Sequence, residues 1–156
     1  MAPHTRDSLL ARVKHYFASV MREDMSAVRS CFTPDATITI LHGDSPRRLF
    51  RLKDTDGPES LVHFYGHLWS NYVVRFYDFT YIIDAESDGG SCYFQVTLTP
   101  KPGSPSADAG ALQLNNCNFF RFDNGVIAGM TIYYANPTLG AAMGNTQNAP
   151  TAFPKT

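Results

Sequence analysis

The sequence predicts an α+β fold in which a curved, antiparallel (mixed) sheet wraps around N-terminal helices and encloses a cavity. Helix-period apolar stripes lie mainly in the N-terminal half, and strand-period alternation fills most of the C-terminal half. Helices followed by a run of strands are typical of helices packed on one face of a sheet. Aromatic residues make up 13% of the 156 residues, which suits the walls of a cone-shaped cavity.

The N-terminal half is expected to contain three helices and two strands. Asp7 and Ser8 can cap the first helix, Asp24 caps the second, and Thr33-Pro34-Asp35 ends it, because the residue before proline avoids helical geometry. The predicted elements are helices over 8–22 and 24–32, strands over 36–42 and 47–53, and a third helix opened by Asp56-Gly57-Pro58-Glu59, with Asp56 or Gly57 near its cap.

The C-terminal half is expected to contain four strands. They cover 73–84, 91–99, 111–122 and 126–135, with a Pro/Gly/Ser-rich loop over 100–110. Asp123-Asn124-Gly125 predicts a tight hairpin turn. The predicted organisation is therefore one domain over residues 1–135 and an irregular tail over 136–156.

Charge and composition exclude several classes of partner. Thirteen basic and fourteen acidic residues give a net charge of −1, which argues against nucleic acid. The sequence has no run of about 18 apolar residues and no signal-peptide pattern, so no membrane association is expected. Cys31, Cys92 and Cys117 are odd in number and widely spaced, which favours buried thiols in a reducing, cytoplasmic compartment.

The sequence gives no indication of a cofactor or a metal. It contains neither a Gly-rich phosphate loop nor a Gly-x-Ser-x-Gly elbow. His63 and His67 stand four residues apart, a spacing that can hold a metal. Glu59 is the one further ligand that suggests itself, so a solvated helix face is the better interpretation.

Four polar residues are the candidates for catalysis. Tyr16 lies on the inward stripe of the first helix, and Asn118 lies on the apolar face of the strand over 111–122. His42 follows Ile40 on the same strand face and can exchange protons near neutral pH, while Asp44 can orient it or act as the base. Alternatively, His42 lies in water at a strand end, and Tyr16 is a core tyrosine whose hydroxyl bonds a backbone carbonyl. Asn118 then belongs to a satisfied internal network or to a face exposed in an oligomer.

A further set of residues is expected to bind substrate. Asn116 shares the inward face of Asn118, and the two amides can bond each other, Tyr16 or a ligand. The remaining candidates are apolar or aromatic and can equally be core residues: Ile40, Tyr65, Trp69, Phe120 and Tyr134.

Three segments together resemble the nuclear transport factor 2-like fold, and within it the SnoaL-like and ketosteroid isomerase-like enzymes. They are VKHYFASVMREDMSAVRSCFTPDATITI (13–40), GPESLVHFYGHLW (57–69) and NFFRFDNGVIAGMTIYY (118–134). The resemblance places Tyr16 where a ketosteroid isomerase keeps its oxyanion-donating tyrosine, and Asn118 where it keeps a second, acidic donor. The position of the family's general base is Ile40, which cannot accept a proton.

The resemblance implies a cofactor-independent isomerase, cyclase or dehydratase of secondary metabolism. Its substrate is expected to be a small apolar oxygenated molecule of polyketide, terpenoid or steroid type, and a scytalone dehydratase-like reaction is one form of this chemistry. The alternative is a non-catalytic small-molecule-binding or protein-interaction module of the same fold. Relatives of this fold commonly pair through the outer sheet face, so a homodimer is expected, with Tyr93, Gln95, Thr97 and Thr99 on that face.

Overall fold

The computed structural model describes residues 4–42 and 46–134. The elements follow the predicted order, and their bounds are α1 (Arg6–Met21), α2 (Met25–Ser30), β1 (Phe32–His42), β2 (Arg48–Arg51), α3 (Leu61–Asn71), β3 (Tyr72–Asp84), β4 (Gly89–Pro100), β5 (Leu112–Asp123) and β6 (Val126–Tyr134). The predicted tail over 136–156 lies outside the described residues.

The six strands form one mixed, curved and unclosed sheet, as predicted. Their order is β2-β1-β6-β5-β4-β3, so the first and last long strands are neighbours. The β1–β6 pair is parallel, and every other pair is antiparallel. The helices lie on one face of this sheet, where α1 packs mainly against β3.

Two helix starts differ from the predictions because of their caps. Helix α1 begins at Arg6, since Thr5 and Ser8 form a reciprocal capping box. Helix α3 begins at Leu61, because the Ser60 side chain accepts a hydrogen bond from the His63 backbone N–H. The sequence 56–59 is therefore a turn before the helix and not its first turn.

The hairpin between β5 and β6 has the predicted geometry. Asn124 and Gly125 both have positive φ angles, +49° and +74°. Positive φ at both central residues is the type I′ pattern, whose twist matches that of the flanking strands. The turn fixes the register that places Asn118 opposite Ile132.

Much of the aromatic excess fills the core instead of surrounding a cavity. Phe17 of α1 is the centre of this packing. Its ring centroid lies 5.1 Å from that of Phe76, 4.9 Å from that of Phe79 and 4.7 Å from that of Phe94. Edge-to-face and tilted contacts at these distances are the favoured geometries for aromatic pairs. The cavity that remains between the helices and the sheet is correspondingly small.

Candidate functional site

A pair of buried tyrosine hydroxyl groups joins helices α1 and α3. The hydroxyl oxygens of Tyr16 and Tyr65 lie 2.7 Å apart. Their side chains are almost inaccessible to solvent, at 3% and 1% exposure. Since one hydroxyl donates to the other, the second keeps its own proton available for a ligand oxygen.

Burial also fixes the protonation state of these hydroxyls. Desolvation raises the pKa of Tyr16 well above 10.0, and it raises the pKa of Tyr65 in the same direction. Removing a phenolate from water is costly, so both groups stay neutral at physiological pH. The pair therefore offers a hydrogen-bond donor and not a base.

Two amide side chains of β5 face the same interior. Asn116 and Asn118 are 4% and 1% exposed, as the alternation along β5 predicts. Among the described residues, the side-chain oxygen of each is buried without a hydrogen-bond partner. The side-chain nitrogen of Asn118 lies 3.4 Å from the Met130 sulfur, a weak acceptor. Buried polar atoms without partners are rare, and a ligand that donates hydrogen bonds would satisfy these two oxygens.

Tyrosines and amides meet in one cavity, which we call the floor cavity. Its volume is about 30 Å³, enough for about one water-sized group. Tyr16, Tyr65, Asn116 and Asn118 supply its polar lining, and the rest is apolar or aromatic, including Phe17, Phe94 and Ile132.

A larger space, the outer pocket, adjoins the floor cavity. Its volume is about 300 Å³, within the range of small-molecule sites. The two spaces share Phe64, Leu68 and Tyr134 in their walls. We call these three shared wall residues the throat.

The mouth of the outer pocket carries basic side chains that the sequence interpretation did not assign. Arg48 of β2 and His63 and His67 of α3 line it. The histidines are exposed, as expected, but they face the pocket. The helical spacing of α3 indicates this placement of His67. Residues 64, 67 and 68 occupy one face of the helix, and Phe64 and Leu68 on that face are half-buried.

Residues 13–130 match the SnoaL-like domain family, which is most of the chain. The chain belongs to the SnoaL-like family. A comparison with curated proteins gives no match. This membership agrees with the resemblance carried by the three sequence segments, and it identifies the fold as that of the nuclear transport factor 2-like superfamily.

Solved structures share the SnoaL-like fold at low sequence identity. A candidate polyketide cyclase from Xanthomonas campestris is 20% identical, with a TM-score of 0.66 over 90% of this chain and 97% of its own. PrhC from Penicillium brasilianum is 13% identical, with a TM-score of 0.66 over 96% and 98% of the two chains. AusH from Aspergillus nidulans is 13% identical, with a TM-score of 0.67 over 86% and 88%. At these identities, the likeness establishes the fold alone.

His42 does not lie inside the site of this SnoaL-like chain. It is exposed at the end of β1, and it lines neither the floor cavity nor the outer pocket. The burial that alternates along β1 through Ile38 and Ile40 does not continue to His42. The ring of His42 lies 5.5 Å from that of Tyr134, beside the throat. Asp44, its expected partner, lies outside the described residues.

Three expected wall residues belong to the core of the SnoaL-like fold instead. Trp69 stacks on Tyr65, and its indole N–H donates to the Val20 carbonyl at 3.0 Å, so it ties α3 to α1. Phe120 packs between Phe17 and Phe122. Ile40 is buried and lines neither pocket. Tyr65, Tyr134 and Asn116, in contrast, line the floor cavity.

The described residues contain no group of three or more histidine, cysteine, aspartate or glutamate side chains that could hold a metal ion. Within those same ranges, 4–42 and 46–134, no helix combines the length and apolarity needed to cross a bilayer.

Proposed function

We propose that the protein is a cofactor-independent enzyme that transfers a proton within a small, largely apolar, oxygenated molecule, as an isomerase, cyclase or dehydratase of secondary metabolism. The carrying observation is the floor cavity, where a tyrosine hydroxyl donor and two unpartnered amide oxygens meet in an aromatic enclosure. Fold neighbours described as candidate polyketide cyclases support the same class of reaction.

Each of the two spaces holds a different part of the substrate. The floor cavity has room for one oxygen-bearing group, and the outer pocket has room for a body of one to three rings. The free tyrosine proton donates to the substrate oxygen. Either Asn116 or Asn118 accepts from an O–H, so a hydroxyl or enol is paired more fully at the floor than a ketone is. Preference for the enol over the ketone lowers the barrier to proton transfer at the adjacent carbon.

The base is supplied from the mouth of the pocket. His63 and His67 line the outer pocket, where the carbon skeleton lies, and imidazole is the side chain best suited to proton exchange near neutral pH. His42 is the alternative base, because it lies beside Tyr134 at the throat. The tyrosine hydroxyl donates to the oxygen as negative charge develops on it, and the proton that the histidine takes from the carbon returns to that oxygen through water, which completes the enol.

Proton exchange with deuterated water tests this function without knowledge of the natural substrate. We expect the protein to speed deuterium incorporation next to the carbonyl of 2-tetralone, an apolar ketone, as followed by NMR. The double variant His63→Gln/His67→Gln should lower the enzymatic rate by about 100-fold, a typical loss for general base catalysis. His15→Gln, an exposed histidine on α1, is the matched control and should keep the rate.

The same measurement separates the competing assignments. Loss of exchange in His42→Gln, with the rate kept in the double variant, would assign the base to His42. A ligand-binding module without catalysis is the second candidate function, and it is favoured because no carboxylate or histidine is among the described residues that line the floor cavity. Ligand binding with no exchange above the buffer rate would establish that second function.

A further inference from the structure

The outer pocket carries an unbalanced positive charge. Arg48 lines it, and no aspartate or glutamate of the described chain does. A pocket with basic residues at its mouth and apolar walls behind them raises the local concentration of anionic ligands. The asymmetry is not a property of the whole chain, whose net charge is −1.

Arg48 differs from its neighbour Arg51 on the same strand. Arg51 lies in ion pairs with Asp54 and Glu59. Arg48 takes part in no ion pair with any residue that the structure describes. Its guanidinium instead lies 6.0 Å from the centre of the Phe50 ring, which is a wall of the outer pocket. The aromatic face orients the guanidinium and leaves its N–H groups available for a carboxylate.

The charge of Arg48 reaches the throat. Burial raises the pKa of Tyr134 to about 12, and Arg48 is the group that opposes this rise. Tyr134 lies in the walls of both spaces. A ligand that passes the throat is therefore within the field of Arg48.

The sheet register places Arg48 and Asn118 in one cross-strand row. Arg48 pairs with Ile40, Ile40 pairs with Ile132, and Ile132 pairs with Asn118. Directly paired residues project from the same face of a sheet. Three strand spacings of about 4.8 Å separate the ends, so their backbones lie about 14 Å apart along the sheet. The row has a cation at one end, two isoleucines in the middle and a hydrogen-bond acceptor at the other end.

We propose that the substrate is an apolar acid, with a carboxylate that pairs with Arg48 at the mouth and a hydroxyl or enol that reaches Asn118 at the floor. This inference deepens the proposed function and rests on it, because the ligand is a substrate only if the protein is an enzyme. The carboxylate is recognised by the planar guanidinium, the rings by the apolar walls, and the O–H by an otherwise unpaired amide oxygen.

Three related probes test the two ends separately by isothermal titration calorimetry. They are 6-hydroxy-2-naphthoic acid, its methyl ester, and 2-naphthoic acid, which lacks the hydroxyl group. We expect the hydroxy acid to bind at least about tenfold more tightly than either of the other two probes. Its advantage over the ester should shrink as salt is added, because the contact at the mouth is partly exposed.

Variants then assign each preference to one residue. Arg48→Gln should bring the affinity ratio of hydroxy acid to ester down to about one, while the preference for the hydroxyl remains. Asn118→Leu should remove the preference for the hydroxyl group and keep the preference for the acid over the ester. Arg47→Gln is the matched control, since Arg47 is exposed nearby and does not line the pocket, and it should keep both ratios.

The outcomes separate the two proposals. An ester that binds as tightly as the acid, a ratio that survives Arg48→Gln, or no binding of any probe at millimolar concentration would overturn the acid-binding inference. If acid binding follows the expected pattern but 2-tetralone exchange does not occur, the inference about the ligand stands and the proposed catalysis fails. If exchange occurs without acid preference, the proposed function stands and this inference fails.

Discussion

The side chain of Asn118 destabilises the folded protein and, in the proposed site, binds the ligand. Its side-chain oxygen is buried and has no partner within residues 4–42 and 46–134, and such a group lowers the free energy of unfolding. Leucine has a similar volume and no polar atom. We therefore expect Asn118→Leu to raise the free energy of unfolding by about 1 kcal/mol and, at the same time, to lower the rate of 2-tetralone exchange.

Urea unfolding and NMR exchange check the two halves of this prediction on one variant. A loss of stability in Asn118→Leu would mean that the amide is already satisfied inside the folded protein. That result would assign Asn118 to an internal network, which was the alternative raised by the sequence. Asn116→Leu provides a second case, because its oxygen is also buried without a partner.

The burial of a single residue can be predicted from the sequence where one strand alone determines its surroundings. The inward position of Asn116 and Asn118 follows from alternation along β5 alone. The exposure of His42 does not follow from β1, because it depends on where the covering elements end. The role of Trp69 depends on Val20, which lies 49 residues away in the chain, so no local pattern indicates it.

At the scale of elements, the Tyr16–Tyr65 hydrogen bond links α1 to α3. Burial raises the pKa of both hydroxyls above 10.0, so the folded protein holds two protons that the unfolded chain releases above pH 10. Stability should therefore fall as pH rises beyond 10, by at most about 1.4 kcal/mol per pH unit for each tyrosine.

Phenylalanine variants measure this contribution. Tyr65→Phe removes one of the two buried protons, so its free energy of unfolding should fall less steeply between pH 9 and pH 11 than that of the unsubstituted protein. Tyr16→Phe should act in the same direction. Urea unfolding at a series of pH values gives the slopes. Parallel curves for the two variants and the unsubstituted protein would contradict the burial of these hydroxyls.

The type and order of the elements were predictable, and their boundaries less so. Strong periodicity predicted α1 and β5 closely. The start of α3 was misplaced because Pro58 and Gly57 resemble helix-opening residues, whereas the hydrogen bonds assign the cap to Ser60. Pro58 instead lines the outer pocket, which the sequence pattern does not indicate.

At the scale of the whole molecule, the outer face of the sheet presents exposed aromatic side chains. Tyr93, Phe119 and Tyr133 are each about half exposed. The ring centroids of Phe119 and Tyr133 lie 5.5 Å apart. Clustered apolar exposure of this kind marks interaction surfaces. We propose that a second copy of the chain covers this face, as the sequence led us to expect.

Light scattering after size exclusion tests the dimer. We expect a mass of about twice 17.3 kDa, because two chains associate. Phe119→Lys should shift the mass towards that of one chain, since it places a charge on the proposed interface. Glu86→Lys, on the turn after β3, introduces the same side chain and should leave the mass unchanged. A monomeric mass for the unsubstituted protein would refute the proposal.

The parallel pairing of β1 with β6 has a consequence for the order in which the protein matures. Ile40 pairs with Ile132, so strands from opposite ends of the domain must meet before the row from Arg48 to Asn118 exists. Such high contact order makes this step slow relative to local hairpins. A growing chain on the ribosome therefore has α1, α3 and their tyrosines long before it has a binding site. A small-molecule ligand should therefore stabilise only the completed sheet, and it should have no effect on earlier stages of folding.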